Sequence, residues 1–461
     1  MEKKSKVVFE ELRRNVAGID LASRADHYVC GPRLEDGECE VKAFGTTTSE
    51  LYRMLEWLKE RQVESVAMES TSVYWIPLAD LLEASGIEVV LVDTRAVRMV
   101  PGRKSDVQDC QWLQKLHSCG LLRGAFRPPE AVAAVRSIIR EKDNLTAMRI
   151  QAIQQMQKSL DQMNIRVHHA VSDIDGKTGT AIIKAIVEGE RDPAKLAELR
   201  DRRCKKSEQE IAEHLTGTWR EEHLFNLGQA FKTLQFLDER IAEYDDKAQG
   251  MFALLANTVD TSDTLPPPSP MPDTKPTAKE RTDSAGKGNI QRFMGFDPTV
   301  IPGIGYNTAA IIASELGTNF DRFPDERHFA SYIGLAPSLG KSAGKNVRQK
   351  RCKNTSRVGR ALRMAASTVY RSQTELGAFF RNVARQTDKK TAIKATARRM
   401  AHMIYRGVKY GKEYIDRGAE EYEARLRERT VRTVNRLIKS YNINSSEIAG
   451  ASASLAALAA V

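Results

Sequence analysis

Four carboxylates in the first quarter of the chain stand where local patterns stop or start: Asp20, Glu69, Asp106 and Asp109. Asp20 closes the run Asn15-Val16-Ala17-Gly18-Ile19, and Glu69 closes a second run from Val63 to Met68, so both are expected at the ends of buried strands. Asp106 and Asp109 follow the turn signal Pro101-Gly102 and open a helical pattern through Trp112, Leu113 and Leu116. Their i, i+3 spacing puts both on one helix face. Four like charges brought together repel unless a hard cation neutralises them, and an oxygen-only set without His or Cys suits Mg2+ or Mn2+. Each acid alone has an ordinary explanation, as a cap on the next turn or a first-turn residue favoured by the helix dipole. Their order, strand, strand, helix, is what points to chemistry on phosphate.

The elements that must position them form an α/β pattern. Strands are predicted near 16–20, 27–31, 39–44, 63–69 and 87–93, and helices near 49–61, 72–84 and 105–119, within a catalytic domain over 12–127. The first three strands can form an antiparallel meander, and the later helix–strand alternation supplies parallel crossovers, so the sheet should be mixed. Acids at two strand ends and on a later helix are the arrangement of an RNase H-like (RuvC-like) nuclease domain.

After Pro128-Pro129 the strand signals stop, and 128–256 reads as a helical region. Leu145, Met148, Ala152, Met156, Leu160 and Met163 recur at helical spacing, whereas Leu237, Ile241, Tyr244, Ala248, Met251 and Leu255 alternate four and three. Packing within one chain and a dimerising coiled coil fit this second run equally. Six of the 16 prolines fall between Pro266 and Pro276, so 257–290 is expected to be a flexible linker. A mainly α domain then covers 291–441, and the Ala- and Ser-rich 442–461 reads as a disordered tail.

Charge narrows the partners. Lys plus Arg number 71 against 60 acids, a net +11 that fits nucleic acid better than an acidic substrate. Lys341 to Arg363 holds nine basic residues and no acid, and Lys389 to Lys412 holds eight and none. In the first block Lys341, Lys345, Arg348, Lys350, Arg351, Lys353, Arg357, Arg360 and Arg363 are candidate phosphate contacts, as is Lys104 near the acids. Ile301-Pro302-Gly303-Ile304-Gly305 before a helix is similar to a helix-hairpin-helix turn, in which Gly303 and Gly305 would let backbone N–H groups approach DNA phosphate. The six cysteines show no C-x-x-C spacing and read as reduced thiols, and no stretch is apolar enough to span a membrane. These features point to a cytoplasmic protein, nucleoid-associated when on DNA.

Both halves together resemble one family, the insertion-sequence transposases of family one-ten with a RuvC-like Asp-Glu-Asp-Asp domain, guided by a bridge RNA; its eleven-eleven subgroup is one candidate placement. The N-terminal resemblance lies in Gly18-Ile19-Asp20-Leu21-Ala22, Met68-Glu69-Ser70-Thr71 with Tyr74, and Lys104-Ser105-Asp106-Val107-Gln108-Asp109 leading to Leu121. The C-terminal part lies in Ile301 to Gly305, Tyr332-Ile333-Gly334-Leu335-Ala336-Pro337 and Ser342-Ala343-Gly344-Lys345. The resemblance implies that Asp20, Glu69, Asp106 and Asp109 bind the catalytic divalent ions, and that Ser342 attacks a DNA phosphate to leave a covalent phosphoserine. It implies donor and target DNA and a guide RNA as partners, and a homodimer that assembles into a tetramer. Ala343 stands where the family has glycine, and Ser338 is the runner-up nucleophile. Two rival functions remain open at this point: a RuvC-like endonuclease that hydrolyses branched DNA with water, and a non-catalytic DNA-binding protein.

Overall fold

The computed structural model describes residues 10–22, 25–34, 37–70, 73–92, 106–122, 124–258, 278–336, 339–342, 345–348, 356–411 and 418–441. The chain divides into two compact units, Met1–Arg127 and Pro128–Val461.

The first unit is a layered α/β domain. Its elements are β1 (Val16–Asp20), β2 (His27–Arg33), β3 (Cys39–Phe44), α1 (Thr48–Glu60), β4 (Ser65–Glu69), α2 (Trp75–Ala84), β5 (Glu88–Val92) and α3 (Asp106–Ser118). The strands order as β3-β2-β1-β4-β5, with β1, β2 and β3 antiparallel and β4 and β5 parallel to β1, which is the mixed sheet the pattern predicts. Pleating sends alternate side chains to opposite faces. Ala17, Ile19, Val66 and Met68 go to a core with α1 and α2, where Leu51, Met54, Leu55 and Leu58 repeat at i, i+3, i+4, i+7. Gly18 and Ala67 take the other parity, and Ala67 packs with Leu113 of α3. Asp20 and Glu69 share that parity, so both strand ends are directed to the face that α3 covers.

The second unit is built on two long helices, α4 (Glu130–Gln162) and α9 (Glu221–Thr258), which pack along each other within the chain. Between them run the short helices α5 (Val167–Ala170), α6 (Lys177–Glu188), α7 (Pro193–Glu198) and α8 (Glu208–Leu215). These close a core at one end of the pair, in which Met156 and Leu160 meet Ile182, Ile186, Leu227 and Phe231. The other end serves a second core, with Val135 and Ile139 of α4 and Ala248, Phe252 and Leu255 of α9. Midway the contact turns polar, through the ion pairs Lys142–Asp245 and Arg149–Asp238. The apolar positions at 237, 248, 252 and 255 are thus spent inside the chain, while Met148 is 53% exposed despite its place in the apolar repeat.

The chain continues with α10 (Ala278–Met294), α11 (Tyr306–Leu316), α12 (Glu326–Tyr332), the hairpin β6 (Leu339–Ser342) and β7 (Lys345–Arg348), α13 (Arg357–Thr368), α14 (Glu375–Gln386), α15 (Lys389–Tyr410) and α16 (Gly418–Tyr441), and the second core takes residues from α10 to α15. One expectation changes here. Both ends of the predicted linker 257–290 are helical, in α9 up to Thr258 and in α10 from Ala278, because Ile290, Phe293 and Met294 bury in the core and fix the helix that carries them. The hairpin is the non-helical part of a region read as mainly α, in which the sequence predicts no strand. Its strands have four residues each, too few for a period-2 hydrophobic signal, and are joined across only two residues. The Pro-rich 259–277 and the tail 442–461 lie outside the described residues.

Candidate active site

Asp20 and Glu69 follow directly on the parallel pair Ile19–Met68, so they end neighbouring strands. The first turn of α3 supplies Asp106 and Asp109. What lets that helix come so near is Gly18: a Cβ there would stand 2.3 Å from the backbone nitrogen of Gln114 and 2.4 Å from the carbonyl oxygen of Cys110. The helix therefore lies on bare strand backbone, two residues before Asp20. Its far end is fastened by His117, whose Nε2 is 2.8 Å from Ser65 Oγ, both buried, and by Ser118, whose carbonyl accepts from the N–H groups of Leu12 and Arg13. Burial, and then the nearby Arg13 cation, hold His117 below its usual pKa.

The electrostatics of Asp20 register the convergence. Its carboxyl is pushed up to about 7, first by burial and then by the negative fields of Asp106, Asp109 and Glu69, against a backbone hydrogen bond from Leu21 that acts the other way. All three other acids thus act on one half-buried carboxyl. They share a field without meeting at a point: among the described residues no three His, Cys, Asp or Glu side chains already form a metal-binding group. A set of oxygen donors that raise one another's proton affinity fits a hard divalent cation, which would relieve the repulsion that protonation relieves otherwise. Gly18, Ser65 and His117 are absent from the sequence-based site. A glycine inside an apolar strand run signals close backbone approach and could have revealed the first; nothing local marks the hydrogen-bonded pair.

Ser342 ends β6 and is paired with Lys345 of β7, so it sits at the turn of a two-stranded hairpin whose strands also carry Lys341 and Arg348. Ser338, Ala343, Lys350, Arg351, Lys353 and Lys104 lie outside the described residues. Gly303 has φ +88°, and a Cβ on it would stand 2.7 Å from the Ala365 carbonyl, so packing against α13 already requires glycine there. Gly305 is the N-cap of α11 and has open space before it. Arg360 is exposed on α13, and Arg363 gives its Nε to the Gly359 carbonyl at 3.3 Å. Arg357 donates to Asp143 at 3.1 Å, an ion pair that accounts for it within the fold.

The second basic block is likewise less uniform in space than in sequence. Arg399 pairs with Glu375, Arg406 donates to Glu326 at 2.8 Å, and Lys409 donates to the Phe323 carbonyl at 3.2 Å. A stretch free of acids along the chain meets acids from other helices once folded.

Residues 17–165 match a family model for DEDD transposases of IS110 elements, described as transposase, and residues 299–381 match the model described as transposase of the IS116/IS110/IS902 family. Together they take in about half of the chain. The first holds all four carboxylates and implies an RNase H-like fold, with which the five-stranded mixed sheet agrees; the second holds Ser342. No curated protein matches the chain.

Proposed function

Because the chain belongs to the IS110 family of transposases and so acts on DNA, we propose that it excises and inserts its own insertion sequence through a serine-linked DNA intermediate, with a guide RNA choosing donor and target. The observation that carries the catalytic part is the field of Glu69, Asp106 and Asp109 upon Asp20, which is what a divalent-ion site without its ion would impose on its own ligands. These four residues would hold Mg2+ or Mn2+, which when bound supplies Lewis-acid polarisation of a phosphoryl oxygen. In the step assigned to Ser342, its Oγ bonds to a DNA phosphorus as the bond from that phosphorus to a deoxyribose oxygen breaks. The serine proton ends on the released hydroxyl. The phosphodiester is conserved in the protein–DNA link, so rejoining to a new strand needs no energy source.

On this reading 12–127 is the catalytic domain and 291–441 the DNA-binding transposase domain. Lys341, Lys345, Arg348 and Arg360 contact phosphates there, together with Lys350, Arg351 and Lys353. With sequence choice left to base pairing, the protein holds RNA–DNA duplexes by backbone and shape. It acts as a homodimer that assembles into a tetramer on two DNA duplexes.

The test is the adduct. With Mg2+, guide RNA and a substrate nicked beyond the cleavage site, so that rejoining is blocked, the wild-type protein accumulates as a slower-migrating species stable to denaturing detergent. Ser342→Ala abolishes it, and Ser338→Ala does not. Cleavage without adduct, equal in wild type and Ser342→Ala, would mean hydrolysis by water and overturn the recombinase reading.

A further inference from the structure

Among the described residues, the last helix, α16, packs on the fold through its first turns. Ala419 is buried and the Tyr422 ring meets Phe379 of α14 edge-on at 6.2 Å, yet from Arg427 to Ser440 every residue but Ile438 is exposed. Over this length the helix has two distinct faces. Arg425, Arg429, Arg432, Arg436 and Lys439 follow at intervals of four, three, four and three, which keeps them in one stripe for four turns. Val431, Val434 and Ile438 lie on the other side.

A basic end is an ordinary feature of helices, because cations stabilise the C-terminal dipole. That effect fades within the last turn, so it explains Lys439 but not a stripe that begins at Arg425. Nor, among the described residues, does another element pair with the charge. Arg425 and Arg432 reach acids on their own helix, Glu421 and Glu428, in exposed pairs of the weak kind. Arg429, Arg436 and Lys439 make no ion pair among the described residues. On the flank of the same helix, Arg381 and Arg385 of α14 and Arg427 of α16 line a groove of about 490 Å³ together with the single acid Glu423, so net positive charge extends beyond the stripe.

We propose that α16 is a DNA-binding arm whose basic stripe runs along the phosphates of a B-form duplex at its major groove. A helix about 10–12 Å across fits a major groove about 12 Å wide, whereas the major groove of A-form RNA is too deep and narrow to admit one. From Arg425 to Lys439 the stripe spans about 21 Å, at the usual rise per residue, long enough to follow several phosphates. Its contacts are to backbone, so it adds affinity and orientation without choosing sequence. This inference rests on the protein's acting on DNA, not on the serine chemistry.

The experiment compares the full chain with Arg429→Gln/Arg436→Gln/Lys439→Gln, binding a 30-base-pair DNA duplex of arbitrary sequence over a range of salt. Each phosphate that the protein no longer neutralises lowers the slope of log affinity against log salt by about 0.9, so the triple variant should lose up to about 2.7. Val431→Asn/Val434→Asn should leave the slope unchanged. An unaltered slope in the charge variant, with wild type binding normally, overturns the arm and leaves the transposase reading standing. A loss confined to an A-form RNA duplex also overturns it, since the helix then serves RNA. Absence of any salt-dependent DNA binding by wild type would count against both.

Discussion

Gly18 and Gln114 are in direct backbone contact, so that a single methyl group added to the strand would fall 2.3 Å from the helix nitrogen. The position of Asp106 and Asp109 over Asp20 is therefore set by what Gly18 lacks. Gly18→Ala should push α3 off β1, with an overpacking cost of about 1–3 kcal/mol. It should also raise the Mg2+ concentration needed for half-maximal cleavage, because two of the four acids move with the helix. Urea unfolding and an Mg2+ titration check the two effects separately; a variant with wild-type Mg2+ dependence would show that the close approach does not set the site.

The raised carboxyl of Asp20 makes stability depend on pH in a fixed direction. Unfolded, the group titrates near 3.9; folded, it holds its proton to about 7. Between these values the native state binds the extra proton, so metal-free stability falls as pH rises from about 4 to about 7. Asp20→Asn should flatten that part of the profile, becoming the more stable protein at pH 8 in EDTA. Added Mg2+ should reverse the order, by stabilising wild type alone. Melting temperatures of both proteins against pH, with and without Mg2+, decide it.

Singly replacing Asp106 or Asp109 with Ala should abolish strand cleavage without unfolding the domain, since removing one of several repelling acids relieves strain in the metal-free state. Circular dichroism and a cleavage assay are sufficient. Full cleavage by both variants would remove the acids from the mechanism.

Neutralising Arg348, Lys350, Arg351 and Lys353 together should lower the salt slope of nucleic-acid affinity by about 0.7 to 0.9 for each phosphate left without its cation, depending on strandedness. Arg357→Gln should behave differently. It breaks an ion pair with Asp143 and so should lower the melting temperature more than it changes the slope. A large slope change for Arg357→Gln would mean that its pairing with Asp143 gives way to phosphate.

The strand run into Asp20 was legible because burial on both faces makes it nearly all apolar, and the helix that opens with Asp106 was legible from its turn signal and spacing. Gathering the acids needed two contacts of long range, Gly18 on Gln114 and Ser65 on His117, which periodicity does not encode. The hairpin carrying Ser342 escaped for another reason. Each strand offers a single large apolar residue, Leu339 or Val347, so neither has an alternation to read. Basic blocks read as uniform because the acids that answer them, Glu326 and Glu375, come from helices elsewhere in the chain.

The polar middle of the α4–α9 pair, between its two cores, clocks one core against the other. One residue added to both helices between Ile139 and Ala152, and between Leu237 and Ala248, would turn the faces that serve one core by about 100° relative to those that serve the other. Seven added to each would bring the phase back to within about 20°. Length in this part of the protein is therefore quantised, and insertions of about seven or eleven should be tolerated where a single residue is not.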